Sequence, residues 1–250
     1  MDNFKSLKNK TILVTGTSRG IGKSIAEALL NNGSKVIGVS KQKLSKKNIN
    51  HKNYFHYFCD IEQERNIIKT LNQVKKKFKN IDVLINNAGI SIENTKNDKR
   101  NFKVFSQTLK TNLNAAYIFS YYLVKKFIKK TGGTIINISS IGGELGFPNN
   151  PAYISSKTAL IGLTRSFARD YGKLNLNCNA VLPGYFKTDM NMKSFRNKTR
   201  RHLRQNLTML GRWGELDELI GTILFLASDS SKYITGQKII VDGGITAKGL

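Results

Sequence analysis

A doubly wound α/β fold, one parallel sheet of seven strands with helices on both faces, is the architecture this chain predicts. Three features point to it. Short β-rich apolar runs alternate with helix-like stretches along all 250 residues. The runs do not alternate apolar with polar, as strands buried on both faces should not. A glycine-rich turn joins the first strand to the first helix.

The elements follow in order. "TILVTG" (11–16) is a compact apolar strand ending in glycine, and the helix after it sets Ile25, Ala28 and Leu29 on one face and stops at Gly33. "KVIGVS" (35–40) and "YFHYFC" (54–59) read as strands, and "ERNIIKTLNQVKKKF" as an amphipathic helix. "IDVLINNAG" (81–89), "GTIINISS" (133–140), "LNCNAVLPG" (176–184) and "KIIVDGG" (238–244) supply the other four strands. Helices are expected at 101–130, 152–172 and 215–228. No linker, repeat or low-complexity block divides the chain, so 1–250 reads as a single domain.

Composition excludes several classes of function. With 40% apolar residues and 3 prolines, the chain is neither disordered nor collagen-like. The N-terminus lacks a signal-peptide core, and "AAYIFSYYLV" (115–124) is too short to span a bilayer; a cytoplasmic protein without a membrane role is expected. Cys59 and Cys178 make no disulfide framework and read as buried reduced thiols, and no zinc spacing is present, so no metal is expected. The formal charge of +25 invites a nucleic-acid reading. Its lysines are scattered over "KQKLSKK", "VKKKF", "VKKFIKK" and "KSFRNKTRRHLR", and no nucleic-acid motif accompanies them. Specific nucleic-acid binding is therefore not expected, although acidic substrates or carriers would be attracted.

The turn "TGTSRGIG" (15–22) carries the first chemical signal. Gly16 permits a tight turn, Gly20 lets backbone approach a pyrophosphate, and Gly22 allows close packing of the helix, whose N-terminus favours an anion. In an alternating β/α chain that is a Rossmann-like dinucleotide site, though a plain structural turn competes with it. NAD sites usually place an acid about 20 residues on, at the end of the second strand. Here that strand ends at Ser40, Lys41 follows, no acid lies between Ala28 and Cys59, and Arg19 sits in the turn itself. These cations suit a 2′-phosphate, so NADP(H) is preferred, with NAD(H) as the second option.

Five motifs in one order, "TGTSRGIG", "NNAG" (86–89), "NISS" (137–140), "YISSK" (153–157) and "PGYFKT" (183–188), resemble the short-chain dehydrogenase/reductase family over nearly the whole chain, to "YITGQKIIVDGG" (233–244). The resemblance implies a catalytic tetrad: Tyr153 as proton donor, Lys157 its partner, Asn112 in "KTNLNAAY", and Ser140, thirteen positions before the tyrosine as in the family pattern. It also implies cofactor contacts. Gly16, Ser18, Arg19, Gly20, Ile21 and Gly22 form the phosphate turn, and Ser40 and Lys41 lie at the second strand. Asp60 and Ile61 follow the third strand, with Asn87, Ala88 and Gly89 beside the adenine ribose. Tyr153, Lys157, Pro183, Gly184 and Thr188 would lie at the nicotinamide half. The chain departs from the pattern at "GELDEL", which lacks a proline common there.

The chemistry explains the spacing of Tyr153 and Lys157. A free phenol titrates near about 10, too high to work well at neutral pH. An ammonium one helical turn away, aided by the positive charge of oxidised nicotinamide, is expected to lower it. Ser140 would hold the reacting oxygen, and Asn112 would support a water-mediated proton path. Bland readings compete: Ser139 and Ser140 as strand caps, Asn112 as a structural helix asparagine.

Substrate is less legible. Segment 185–212 lies where the family carries a flexible lid, and mixes Met190, Met192, Phe195 and Leu203 with Lys193, Arg196, Lys198, Arg200, Arg201 and Arg204. It reads as a cationic lid for an acidic substrate or carrier, or as a solvated basic helix. "PGYFKTDM" and "LGRWGELDELIGT" resemble the gluconate 5-dehydrogenase type, which implies a small-molecule keto sugar acid or polyol. The architecture equally resembles 3-oxoacyl-(acyl-carrier-protein) reductases, which implies an acyl-carrier-protein thioester. A dinucleotide-binding protein without catalysis is the third reading, and the intact tetrad argues against it. The resemblance also implies a homotetramer paired through helices 101–130 and 152–172.

Overall fold

The computed structural model describes residues 4–42, 49–128 and 132–249. The seven expected strands are present: β1 (Thr11–Thr15), β2 (Lys35–Ser40), β3 (Tyr54–Phe58), β4 (Val83–Asn86), β5 (Gly133–Ile138), β6 (Leu176–Pro183) and β7 (Lys238–Val241). They form one sheet in the order β3-β2-β1-β4-β5-β6-β7. Every pairing is parallel, with registers such as Leu13↔Ile37 and Leu13↔Leu84. The order reverses between β1 and β4, and a crevice opens at such a switch point.

Each strand feeds two cores. Ile12, Val14, Ile85, Ile136 and Val181 point to one face, where Ile25, Ala26 and Leu29 of α1 (Gly20–Asn31) meet Leu219, Ile223 and Leu224 of α8 (Leu216–Ala227). Leu13, Ile37, Leu84, Ile135 and Cys178 point to the other. There they meet α2 (Glu64–Lys77) through Ile67, Leu71 and Val74, α4 (Ala115–Lys126) through Phe119 and Leu123, and α5 (Pro151–Tyr171) through Phe167. Helix ends follow local chemistry. Pro151 opens α5, and Lys75, Lys76 and Lys77 occupy the last turn of α2, where cations oppose the helix dipole. In place of the missing proline, α8 starts from a capping box in which Glu215 and Glu218 each accept the other's backbone N–H. Both cysteines are buried and free.

Three expected elements differ. The helix expected over 101–130 is α3 (Asp98–Leu109), a π-helical turn (Lys110–Asn114) and α4; residues 129–130 lie outside the described residues. Such a turn admits one extra residue without disturbing the apolar pattern, so periodicity does not reveal it. The strand expected over 81–89 ends at Asn86, because the N–H groups of Asn87 and Ala88 leave the ladder and donate to Thr15 Oγ1, both at 3.0 Å. The strand expected to Gly244 ends at Val241, where Asp242 begins a turn through Gly243 and Gly244, both at positive φ.

Segment 185–212 contains α6 (Met192–Arg196) and α7 (Lys198–Leu207). Its two ends are tied together: Gly214 N–H donates to Tyr185 O at 3.0 Å, and Lys187 N–H to Gly214 O at 3.3 Å. Lys187 also pairs with Glu215, and Arg212 forks onto Glu218 at 2.6 and 2.8 Å. The segment is thus an excursion pinned at its base to the start of α8. Among the described residues no helix is long and apolar enough to cross a membrane.

Candidate active site

The glycine turn has the geometry that close approach requires. Gly16 (φ 78°) and Gly20 (φ 54°) adopt left-handed backbone, which other residues adopt at a cost. A side chain at Gly22 would collide with the Gly16 carbonyl and the Asn87 amide. Asn87 Nδ2 donates to Thr15 O at 2.8 Å and Gly16 O at 3.4 Å, locking the "NNAG" segment against the turn. Ser18 and Ile21 flank the opening of α1, and exposed Arg19 precedes its first residue without an ion pair among the described residues. A β-carbon on Gly20 would lie 3.9 Å from Thr188, so the "PGYFKT" segment reaches the same turn. Pro183 ends β6 and Gly184 packs against Asp242. The turn, the N-terminus of α1 and the Thr188 segment form a cradle that fits a dinucleotide.

At the other end of the cradle, Lys41 does not stand free. Its ammonium pairs with Asp60 at 2.9 Å and lies 3.9 Å from Glu62, and hydrogen bonding to Asp60 raises its pKa. The acids absent from β2 arrive in space from the segment after β3, where Ile61 is also placed. Ser40 Oγ meets His56 Nε2 at 2.9 Å. Tyr54 OH meets Thr17 Oγ1 at 2.8 Å, a contact for which the sequence offered no signal.

The four expected catalytic residues converge where β4 and β5 end. Lys157 is 4% exposed, and its Nζ donates to Ile138 O at 2.7 Å. That nitrogen lies 5.7 Å from the centre of the Tyr153 ring. A β-carbon on Gly89 would stand 3.3 Å from Asn112 Oδ1 and 3.4 Å from Lys157 Nζ, so the loop after β4 borders both. The two serines separate by their bonds. Ser139 Oγ spends its proton on Lys157 O at 2.7 Å, as a structural serine does. Ser140 Oγ accepts from Gly142 N–H at 3.0 Å and hydrogen-bonds the Tyr153 phenol.

Asn112 sits in the π-helical turn with its amide fully engaged. Oδ1 accepts from Ile90 N–H at 2.8 Å, while Nδ2 donates to Ile90 O at 2.9 Å and to Ser156 Oγ at 3.0 Å. Ser156 Oγ in turn donates to Tyr153 O at 2.7 Å. Both amide protons are used in the fold, which leaves one lone pair of Oδ1 for a further donor. A π turn shifts carbonyls out of the i→i+4 ladder.

In the chain without its dinucleotide, burial dominates the protonation balance of the pair. Burial pushes the Tyr153 phenol up, the Ser140 hydrogen bond opposing this and Tyr185 adding to it. Burial also brings Lys157 down to about 8. Desolvation outweighs the attraction of an ammonium that touches the carbonyl of Ile138 and not the phenolic oxygen. At neutral pH the phenol keeps its proton in the chain alone.

An aromatic wall that motif reading missed closes the site. The Phe147 ring packs on Gly142, and its centroid is 6.5 Å from that of Tyr185, which lies 5.5 Å from Trp213. Phe195 meets Trp213 edge-on at 5.3 Å. Tyr185 and Trp213 lie within quoted motifs and Phe195 within the lid segment, but no period brings them together with Phe147 from three loops and a short helix. Among the described residues, no group of three or more metal-ligating side chains occurs.

Known proteins with this sequence pattern and geometry are dehydrogenases and reductases. A family model described as enoyl-(acyl carrier protein) reductase matches residues 16–246. A 3-oxoacyl-(acyl-carrier-protein) reductase from Buchnera aphidicola is 35% identical over 244 residues, covering 96% of this chain and 98% of that protein. A gluconate 5-dehydrogenase from Burkholderia cenocepacia, solved with NADP and tartrate, superposes with a TM-score of 0.89 at 27% identity, covering 99% of each chain. Aldohexose dehydrogenase from Thermoplasma acidophilum superposes at 0.88 with 31% identity, covering 99% of this chain and 98% of that one. The chain belongs to the short-chain dehydrogenase/reductase family, NAD(P)-dependent oxidoreductases that act on alcohol and ketone groups.

Proposed function

We propose that this chain is an NADP(H)-preferring enzyme that interconverts a ketone and a secondary alcohol, with Tyr153 moving the proton, on a keto sugar acid or polyol. The observation that carries the reaction is the cluster of buried Lys157 and Ser140 with half-buried Tyr153 beside Gly89. The dinucleotide, when bound, supplies or accepts the hydride. The chain does the rest. Ser140 holds the reacting oxygen against the phenol, and Tyr153, protonated at neutral pH, donates to that oxygen as the alcohol forms. Lys157 has two N–H groups left after its bond to Ile138, directed to a site bordered by Gly89, which suits the ribose hydroxyls. Asn112 is a positioning residue that fixes the loop at Ile90 and, through Ser156, the first turn of α5.

Preference for NADP rests on the missing acid at the end of β2 and on Arg19, with Lys41 contributing once a phosphate displaces Asp60. The sugar-type substrate is supported by the gluconate and aldohexose dehydrogenases among the structural relatives. A second reading, reduction of an acyl-carrier-protein thioester, is favoured by the 35% identity with a reductase of that class. NADPH absorbance with 5-ketogluconate beside acetoacetyl thioesters separates them; turnover of the thioester alone rejects the sugar-type assignment. The exposed faces of Phe102, Tyr117 and Tyr121 on α3 and α4 support a homotetramer, and the chain is assigned to the cytoplasm. A monomer in sedimentation would reject the tetramer.

A further inference from the structure

One cation near the site has no partner. Arg204, on α7, makes no hydrogen bond and no ion pair among the described residues, and its Nη1 is buried without an acceptor. The guanidinium lies 4.5 Å from the Tyr185 ring centre and 5.7 Å from that of Trp213. Two aromatic faces hold the planar fork in place, as guanidinium stacking does. Trp213 Nε1 donates to Arg201 O at 3.3 Å, anchoring the turn of α7 that carries Arg204.

This placement differs from that of the other cations at the base of the same segment. Lys187 has Glu215 and Arg212 has Glu218, both exposed pairs at the surface. Arg204 is turned onto the rings that line the site, and no carboxylate of the described chain approaches it. A buried guanidinium nitrogen with no acceptor is expensive, and an anion arriving there would remove that penalty. Arg204 is linked to the reacting centre through ring contacts. It lies over Tyr185, Tyr185 faces Phe147, and Phe147 packs on Gly142, whose N–H meets Ser140.

We propose that Arg204 is the specificity-determining cation of the substrate site, where its fork takes the carboxylate of an acid whose reacting carbonyl lies at Ser140 and Tyr153. Tyr185 lies under the cation and also acts on the Tyr153 phenol, so one ring links the carboxylate site to the reacting carbonyl. The inference rests on the sugar-acid reading above and sharpens it, since a neutral polyol has nothing to offer Arg204.

The test uses the whole chain with saturating NADP+. Trp213, the sole tryptophan, lies beside Arg204, so its emission reports binding of tartrate, a dicarboxylate. Wild type should bind saturably. Arg204→Met, which keeps the apolar stem, should weaken binding about 10- to 100-fold. Arg204→Lys should recover part of that loss, as charge without a fork does. NADP+ affinity should stay at the wild-type value, and if the Met variant fails to fold, the Lys variant carries the test. Equal affinity in wild type and either variant, or no saturable binding in wild type, overturns the assignment.

Turnover then separates this inference from the reading beneath it. Loss of gluconate kcat/KM in Arg204→Met through KM, with sorbitol unaffected, supports both. Gluconate turnover indifferent to Arg204 retains the sugar-acid enzyme and rejects the arginine's role. Thioester turnover alone, with tartrate binding still lost in the variant, rejects the sugar-acid reading and leaves Arg204 as an anion subsite.

Discussion

The two ends of the crevice treat positive charge differently. At the nucleotide end Lys41 is 62% exposed and already held by Asp60 and Glu62. At the reaction end Lys157 is buried against a carbonyl, Arg204 is half-buried with its Nη1 covered beside aromatic rings, and neither meets a carboxylate among the described residues. In a chain with a formal charge of +25, counting cations says little about binding. What matters is whether folding has already supplied the counter-charge. A cation whose partner is part of the chain must exchange it for a ligand, and the net gain is small. A desolvated cation without one gains most of the interaction.

The largest effect should come from the reaction end. Tyr153→Phe keeps the ring and removes the proton, so turnover should fall about 10²- to 10⁴-fold with NADP+ affinity nearly unchanged. Steady-state kinetics beside a cofactor titration checks this; retained turnover would remove Tyr153 from the proton path.

Next is stability. The Lys157 ammonium is held down at about 8 by burial, well below its ordinary value, so the folded chain carries a desolvation penalty at neutral pH. Between about pH 8 and the ordinary lysine value the unfolded state binds the extra proton, and wild-type stability should rise with pH across that window. Lys157→Met should abolish activity yet stabilise the cofactor-free protein by about 1–3 kcal/mol at pH 7. That advantage should shrink as pH rises past 8. A destabilised variant in denaturant titration would mean that the bond to Ile138 outweighs the penalty.

The nucleotide end should respond less. Lys41→Asp should shift the NADP-to-NAD preference about 3- to 10-fold toward NAD, less at high salt. Smaller still is Glu62→Gln, which loosens the grip on Lys41 and should tighten NADP by about 2-fold. If Glu62→Gln moved affinity more than Lys41→Asp, the contrast between the two ends would be wrong.

Much of this was legible in the amino-acid order. Uniform apolar runs such as "TILVTG" mark strands covered on both faces, and the Tyr153–Lys157 spacing survives folding because a helix sets it. Other features were not. The π turn at Asn112 leaves the apolar repeat of the surrounding helices intact. Lys41 looked free because Asp60 and Glu62 are about twenty residues away in sequence and adjacent only across neighbouring strand ends. The burial that raises the Tyr153 phenol in the chain alone is a property of the surrounding loops, which the Tyr153–Lys157 spacing does not report.

Local and periodic constraints settled the seven strands, the glycine turn and the helical spacing of Tyr153 and Lys157, because each depends on backbone geometry within one or two turns. Tertiary packing decided which charges are neutralised, which serine keeps its hydroxyl available and which arginine faces the rings. Those depend on distances between segments far apart in the chain, and electrostatic and desolvation energies change sharply over a few ångströms that no linear spacing encodes.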